Sequence, residues 1–152
     1  MDFLYQEPYP ILKDDTQYKK LTSDFVKVEQ LGDREILVVD PKGLELLAQE
    51  AMDDVSFMLR SAHLQKLRNI IEDPEATDND RFVAYNLLQN AAVAVEGQLP
   101  SCQDTGTAIV VAKKGENVYT GVEDGDWLSK GIFHPYQNTN LRYSQIVPIS
   151  MF

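Results

Sequence analysis

The chain has 152 residues, with 14 basic and 24 acidic side chains and a formal charge of −10. Its 43% hydrophobic and 25% charged residues exclude a disordered or fibrous chain, and its length allows one independent core without metal or disulfide. The acidic balance argues against nucleic acid and anionic membrane as partners, no stretch approaches the ~18 apolar residues of a membrane span, and the single cysteine, Cys102, excludes an internal disulfide.

The first 24 residues contain Pro8 and Pro10 and show no sustained period, so they read as an extended arm. Their acidic start lacks the positive charge of a secretory or mitochondrial leader, and with the lone cysteine this predicts a cytoplasmic protein. From Phe25 to Asp40, apolar alternation around Leu31-Gly32-Asp33-Arg34 predicts a β-hairpin. Asp40-Pro41 then opens a helix, with an acidic N-cap and a proline in the first turn. Its apolar face comprises Leu44, Leu47, Ala48, Ala51, Met52, Val55, Met58 and Leu59, within Lys42 to Arg60. A second helix, capped by Ser61 and ended by Asp73-Pro74, carries Leu64, Leu67, Ile70 and Ile71. A third is capped at Thr77-Asp78-Asn79-Asp80 and closes near Gly97. These three helices are expected to pack as a bundle.

Beyond Leu99-Pro100 the composition shifts. Thr107 to Ala112 and Asn117 to Val122, separated by the turn Lys113-Lys114-Gly115-Glu116, predict a second hairpin or sheet pair. Asp124 to Asn140 reads as a helix that Pro135 should kink or split. The apolar end, Ile146 to Phe152, has no polar tail and is expected to continue into further chain. The fold class is therefore α+β: an N-terminal arm and hairpin, a three-helix layer, then a small sheet with a terminal helix. Residues 1–98 are expected to be mainly helical and 99–152 sheet plus helix.

The densest cluster of chemistry-bearing residues is the loop Leu99-Pro100-Ser101-Cys102-Gln103-Asp104-Thr105-Gly106-Thr107-Ala108, where a tight turn can bring thiol, amide, carboxylate and hydroxyls together. The bland reading is a buried apolar cysteine beside an ordinary turn. Other candidates are weaker. Asp14-Asp15 and Asp53-Asp54 are adjacent carboxylates whose side chains diverge, so solvated surface is the simpler reading. Glu123-Asp124-Gly125-Asp126 lacks the alternating oxygens and distal glutamate of a calcium loop and reads as a turn with a helix cap. His63 and His134 have no partner at metal-ligand spacing. Arg142 could clamp a carboxylate or pair with an acidic neighbour. No phosphate-binding glycine pattern occurs.

The segment Cys102-Gln103-Asp104-Thr105-Gly106-Thr107-Ala108 resembles the first cluster-binding segment of class I fumarate hydratases, the oxygen-sensitive iron-sulfur fumarases, and of the related tartrate dehydratases. Four other segments match in order: Tyr9 to Thr16 with Leu21-Thr22-Ser23, Ser56 to Arg60, Asp73 to Ala76 with Asn79-Asp80, and Asn140 to Gln145. The resemblance implies reversible hydration of fumarate to (S)-malate with a [4Fe-4S] cluster as Lewis acid. Cys102 is implied as one of three cluster ligands, Gln103 and Asp104 as substrate-contacting residues with Asp104 in proton transfer, and Arg142 as a substrate-carboxylate partner. The other two cysteines and a catalytic histidine have no counterpart here. The resemblance therefore implies that these residues form the N-terminal region of the cluster-binding domain, inactive alone. It also implies completion by further polypeptide or a β subunit, and a homodimer. The alternatives are a tartrate or other hydroxy-diacid dehydratase, and a non-catalytic acidic interaction module. The module predicts a fully buried Cys102 on a loop that faces no concavity.

Overall fold

The structure is a computed structural model that describes residues 3–7, 10, 17–102 and 106–143. Strand β1 (Val26–Leu31) and strand β2 (Arg34–Val39) form the expected antiparallel hairpin, with Val28 opposite Leu37. The two-residue turn Gly32-Asp33 places Gly32 at φ 61°, a conformation that glycine adopts without a Cβ clash.

Helix α1 (Pro41–Phe57) starts where the sequence places it, and the Asp40 carboxylate accepts from the Lys42 backbone N–H at 2.9 Å. Helix α2 (Ser61–Glu72) follows after three residues; Arg60, not Ser61, occupies its cap position and makes no side-chain cap bond. Helix α3 (Asp78–Ala94) opens with a complete capping box. In it the Thr77 hydroxyl accepts from the Asp80 N–H at 3.2 Å, and the Asp80 carboxylate accepts from the Thr77 N–H at 3.0 Å. The Thr77 hydroxyl, which also donates to the Asp80 carboxylate at 2.7 Å, and then the Thr77 N–H hold the Asp80 carboxyl below the usual carboxylate range.

Strand β3 (Val118–Tyr119) adds to β2 in parallel, giving the order β1-β2-β3, and helix α4 (Asp124–Asn138) follows. This is an α+β fold, but two local expectations change. The second hairpin does not form, since residues 107–112 pair with no strand among the described residues. The run Ala108-Ile109-Val110-Val111-Ala112 is apolar on both faces, which suits a strand flanked by partners on either side, and β3 pairs with β2 instead. The helices also pack in two pairs, α1 on α4 and α2 on α3, rather than as a bundle of the first three.

The α1–α4 seam explains the pairing. Gly131 presents no side chain to α1, so the helices approach until a Cβ there would stand 2.2 Å from the Glu45 carbonyl oxygen. Across the same seam Glu45 takes Lys130 Nζ at 2.9 Å and His134 Nε2 at 2.8 Å, and Lys130 lies 4.8 Å from the Trp127 ring centroid. Pro135 does not split α4. It is fully buried, and its carbonyl receives both the Thr139 N–H at 2.9 Å and the Thr139 hydroxyl at 2.6 Å, closing the last turn. Packing and this double acceptance offset the donor that proline lacks.

The Lys130 hydrogen bond first, and His134 second, hold the Glu45 carboxyl below its usual range. A carboxylate depressed in the folded state contributes stability above its unfolded pKa and loses it as pH falls through the folded value. The unfolding midpoint is therefore expected to drop on acidification below the usual glutamate range. Glu45→Gln should show a shallower acid limb in thermal melts followed by circular dichroism; an equally steep limb would remove Glu45 from that account.

Burial is sparse. Among the described residues the buried apolar side chains are Ala48, Phe57, Leu67, Ala84, Ala94, Leu141 and the ring of Pro135, while Phe82, Ile109 and Val111 are exposed. The chain exposes 12826 Å², where a compact monomer of 17.2 kDa would expose about 7,800 Å². Large apolar side chains are among the exposed ones, Phe3, Tyr18 and Val55 included. A cavity of about 730 Å³ between α1, α4 and residues 107–115 is lined by Leu44, Leu47, Ala51, Val55, Ile109 and Leu128 among others.

Candidate active site

The Cys102 loop is held from three sides. At the end of α1, the Ser56 carbonyl accepts from the Ser101 N–H at 2.8 Å. From α3, the Asn90 carboxamide donates to the Ser101 carbonyl at 2.6 Å. From the segment after α4, the Asn140 carboxamide donates to the Gln98 carbonyl at 2.8 Å. The far side of the loop is tied as well: the Tyr136 hydroxyl donates to the Gly106 carbonyl at 3.3 Å, and Gly106 has φ 59°, the left-handed turn geometry. Tyr136 stacks on Tyr143 at 5.9 Å between centroids, and the Tyr143 hydroxyl donates to the Tyr136 carbonyl at 3.0 Å. Between these stacked rings and the buried Leu141, the backbone carrying Arg142 is fixed beside the loop.

The outcome is a cavity of about 350 Å³ whose walls include Asn90, Ser101, Cys102, Asn140 and Arg142. Cys102 is exposed on that wall. Forty positions of sequence separate Cys102 from Arg142, yet the thiol and the guanidinium share one concavity. An exposed thiol on a concave wall is the arrangement that the interaction-module reading does not predict. Gln103 and Asp104 lie outside the described residues, as do most of the arm segment Tyr9 to Thr16 and the tail from Ser144 to Phe152.

The remaining candidates stay apart from this cavity. Asp14-Asp15 lies outside the described residues. Asp53 sits on α1 with one carboxylate oxygen buried and unmatched by a described partner; burial first, then Glu50 and Asp54, pushes its carboxyl up. His63 is exposed on α2, and His134 is spent on Glu45. Asp124, from the acidic turn, accepts from Lys114 Nζ at 2.7 Å and from the Thr120 hydroxyl at 2.5 Å; Lys114 first and Thr120 second hold its carboxyl below the usual range. Among the described residues no three His, Cys, Asp or Glu side chains gather to hold a metal ion. The sequence pattern does not reveal Asn90 and Asn140, because a solvent-facing asparagine on a helix or at its end has no periodic signature.

The α+β scaffold sets one thiol and one guanidinium in a shared concavity. Comparison with known proteins gives the family. The family model described as fumarate hydratase (Fumerase) matches residues 45–151, and the chain belongs to that family. The chain is 51% identical over 150 residues to the class I anaerobic fumarate hydratase of Escherichia coli, covering 99% of this chain and 27% of that relative. It is 49% identical over 150 residues to the class I aerobic fumarate hydratase of Salmonella typhimurium, covering 99% and 26%. It is also 49% identical over 140 residues to fumarate hydratase 1, mitochondrial, of Leishmania major, covering 91% and 26%. The chain thus spans about a quarter of the length of the curated relatives it matches.

Proposed function

We propose that this chain is the cluster-binding N-terminal portion of a class I fumarate hydratase, a hydro-lyase that reversibly hydrates fumarate to (S)-malate. The observation that carries this reading is the shared cavity of Cys102 and Arg142. The family membership and the identity to named fumarate hydratases support it.

The residues present fit one corner of a [4Fe-4S] site. Cys102 is exposed on a concave wall, so its thiolate can ligate an iron, and as the chain's one cysteine it supplies one ligand of three. The other two come from the remainder of the same polypeptide or from a β subunit. When bound, the cluster supplies a Lewis-acidic iron at the hydroxyl that leaves malate.

The chain's own residues do the rest of what falls to them. Arg142 pairs with a substrate carboxylate through two parallel N–H donors, which fixes the dianion in orientation as well as in place. Gln103 contributes a neutral amide to the same substrate. Asp104 takes part in proton transfer as the C–H bond next to a carboxylate breaks and hydroxide departs, or the reverse during hydration. The ties from Ser56, Asn90 and Asn140 hold the Ser101 and Gln98 backbone next to Cys102, which matters because small displacements of reacting groups cost large factors in rate.

In this reading the 152-residue chain alone neither retains a cluster nor turns over fumarate, and the exposed apolar surface is covered by the rest of the enzyme. The complete enzyme is a cytoplasmic homodimer. The test is turnover by the longer polypeptide that contains this chain, loaded anaerobically. Malate formed from fumarate at a rate well above tartrate dehydration supports the reading, and the reverse preference would make the enzyme a tartrate dehydratase.

A further inference from the structure

We propose that Asn90 is the positioning residue for Cys102: its carboxamide fixes the Ser101–Cys102 peptide plane, and through it the direction in which the thiol leaves the loop. This deepens the fumarate hydratase reading and rests on Cys102 being a ligand.

The carbonyl of Ser101 and the N–H of Cys102 belong to one rigid peptide unit, so fixing that carbonyl fixes the starting direction of the Cys102 backbone and of its Cβ. The carbonyl is gripped at 2.6 Å by Asn90 Nδ2, while the Ser101 N–H is gripped at 2.8 Å by the Ser56 carbonyl. The residue before the thiol is therefore clamped on both of its backbone polar groups, one from α1 and one from α3. The Ser56 side is itself braced, its hydroxyl donating to the Met52 carbonyl at 2.7 Å.

Asn90 is suited to this task by what it lacks as well as by what it carries. Its amide carries no charge, so it adds no second cation beside Arg142, and its Nδ2 is committed to the Ser101 carbonyl. It rises from a helix, a rigid platform, and it lines the same cavity as Cys102 and Arg142. Asn140 plays a lesser part in the same frame, tying Gln98 at the loop's entrance to the segment that carries Arg142.

The test uses three variants of the full chain. Asn90→Asp keeps the shape and removes the donor, Asn90→Ala removes both, and Asn90→Gln keeps the donor. Amide hydrogen exchange of Ser101 and the 13Cβ chemical shift of Cys102 are read by NMR. Asn90→Asp and Asn90→Ala are expected to speed Ser101 exchange about fivefold, the effect of one lost neutral hydrogen bond, and to move the Cys102 shift. Asn90→Gln is expected to recover most of both, and the amides in the middle of α3 are expected to stay unchanged in all three. Wild-type exchange and an unmoved Cys102 shift in Asn90→Asp would overturn the role, as would equal changes in Asn90→Gln and Asn90→Ala. The underlying ligand reading is tested separately by iron content of a Cys102→Ser variant, so the two can fail independently.

Discussion

Replacing Gly131 by alanine is expected to lower the melting temperature of the chain by about 10 °C. The added Cβ would stand 2.2 Å from the Glu45 carbonyl oxygen and 2.8 Å from the Ala48 Cβ, and the nearer of these belongs to backbone, which cannot rotate out of the way. One helix must shift, and overpacking that forces a backbone shift costs about 3 kcal/mol. The shift also draws Lys130 and His134 away from Glu45 and unseats the helix whose C-terminal end leads into Arg142. Thermal unfolding monitored by circular dichroism checks this, and an unchanged midpoint would show that the α1–α4 seam is not the close contact described.

The second large effect concerns Arg142. In the longer polypeptide, Arg142→Ala is expected to reduce kcat/KM for fumarate about a hundredfold, the usual cost of removing one partner of a desolvated charge pair. Arg142→Lys should recover only part of this, because an ammonium cannot present two parallel donors to a carboxylate. Steady-state kinetics with fumarate and with malate check both. Near-normal kinetics in the alanine variant would place the substrate carboxylate elsewhere.

Local structure is legible in the sequence where its signals are strong and short in range. The hairpin follows from apolar alternation on both sides of Gly32-Asp33, and α1 and α3 follow from Asp40-Pro41 and the Thr77/Asp80 capping box, devices that act within one turn of chain. What periodicity does not encode is the choice of partner. The apolar faces of α1, α2 and α3 are interchangeable as patterns, and α1 selects α4 because Gly131 allows a close approach that hydrophobicity does not register. Residues 107–112 have the composition of a buried strand, but composition specifies no neighbour, and among the described residues none is there. Pro135 would break an exposed helix interior, while buried packing and a doubly accepted carbonyl keep α4 whole.

The candidate site divides the same way. Cys102 and Arg142 stand out in the sequence as residue types, and the fold brings both to one cavity. The asparagines that frame them are invisible beforehand because their roles lie in tertiary hydrogen bonds to carbonyls of a loop distant in sequence. Gln103 and Asp104, between Cys102 and Gly106, rest on the family resemblance.

The proposed ligation of an iron-sulfur cluster by Cys102 is open to a direct check by iron and sulfide analysis. The longer polypeptide and its Cys102→Ser variant would be loaded anaerobically side by side and desalted. Four irons and four sulfides per chain are expected in the parent, the stoichiometry of a [4Fe-4S] cluster, with most of both lost in the variant. An equal complement of iron and sulfide in the variant would contradict that ligation.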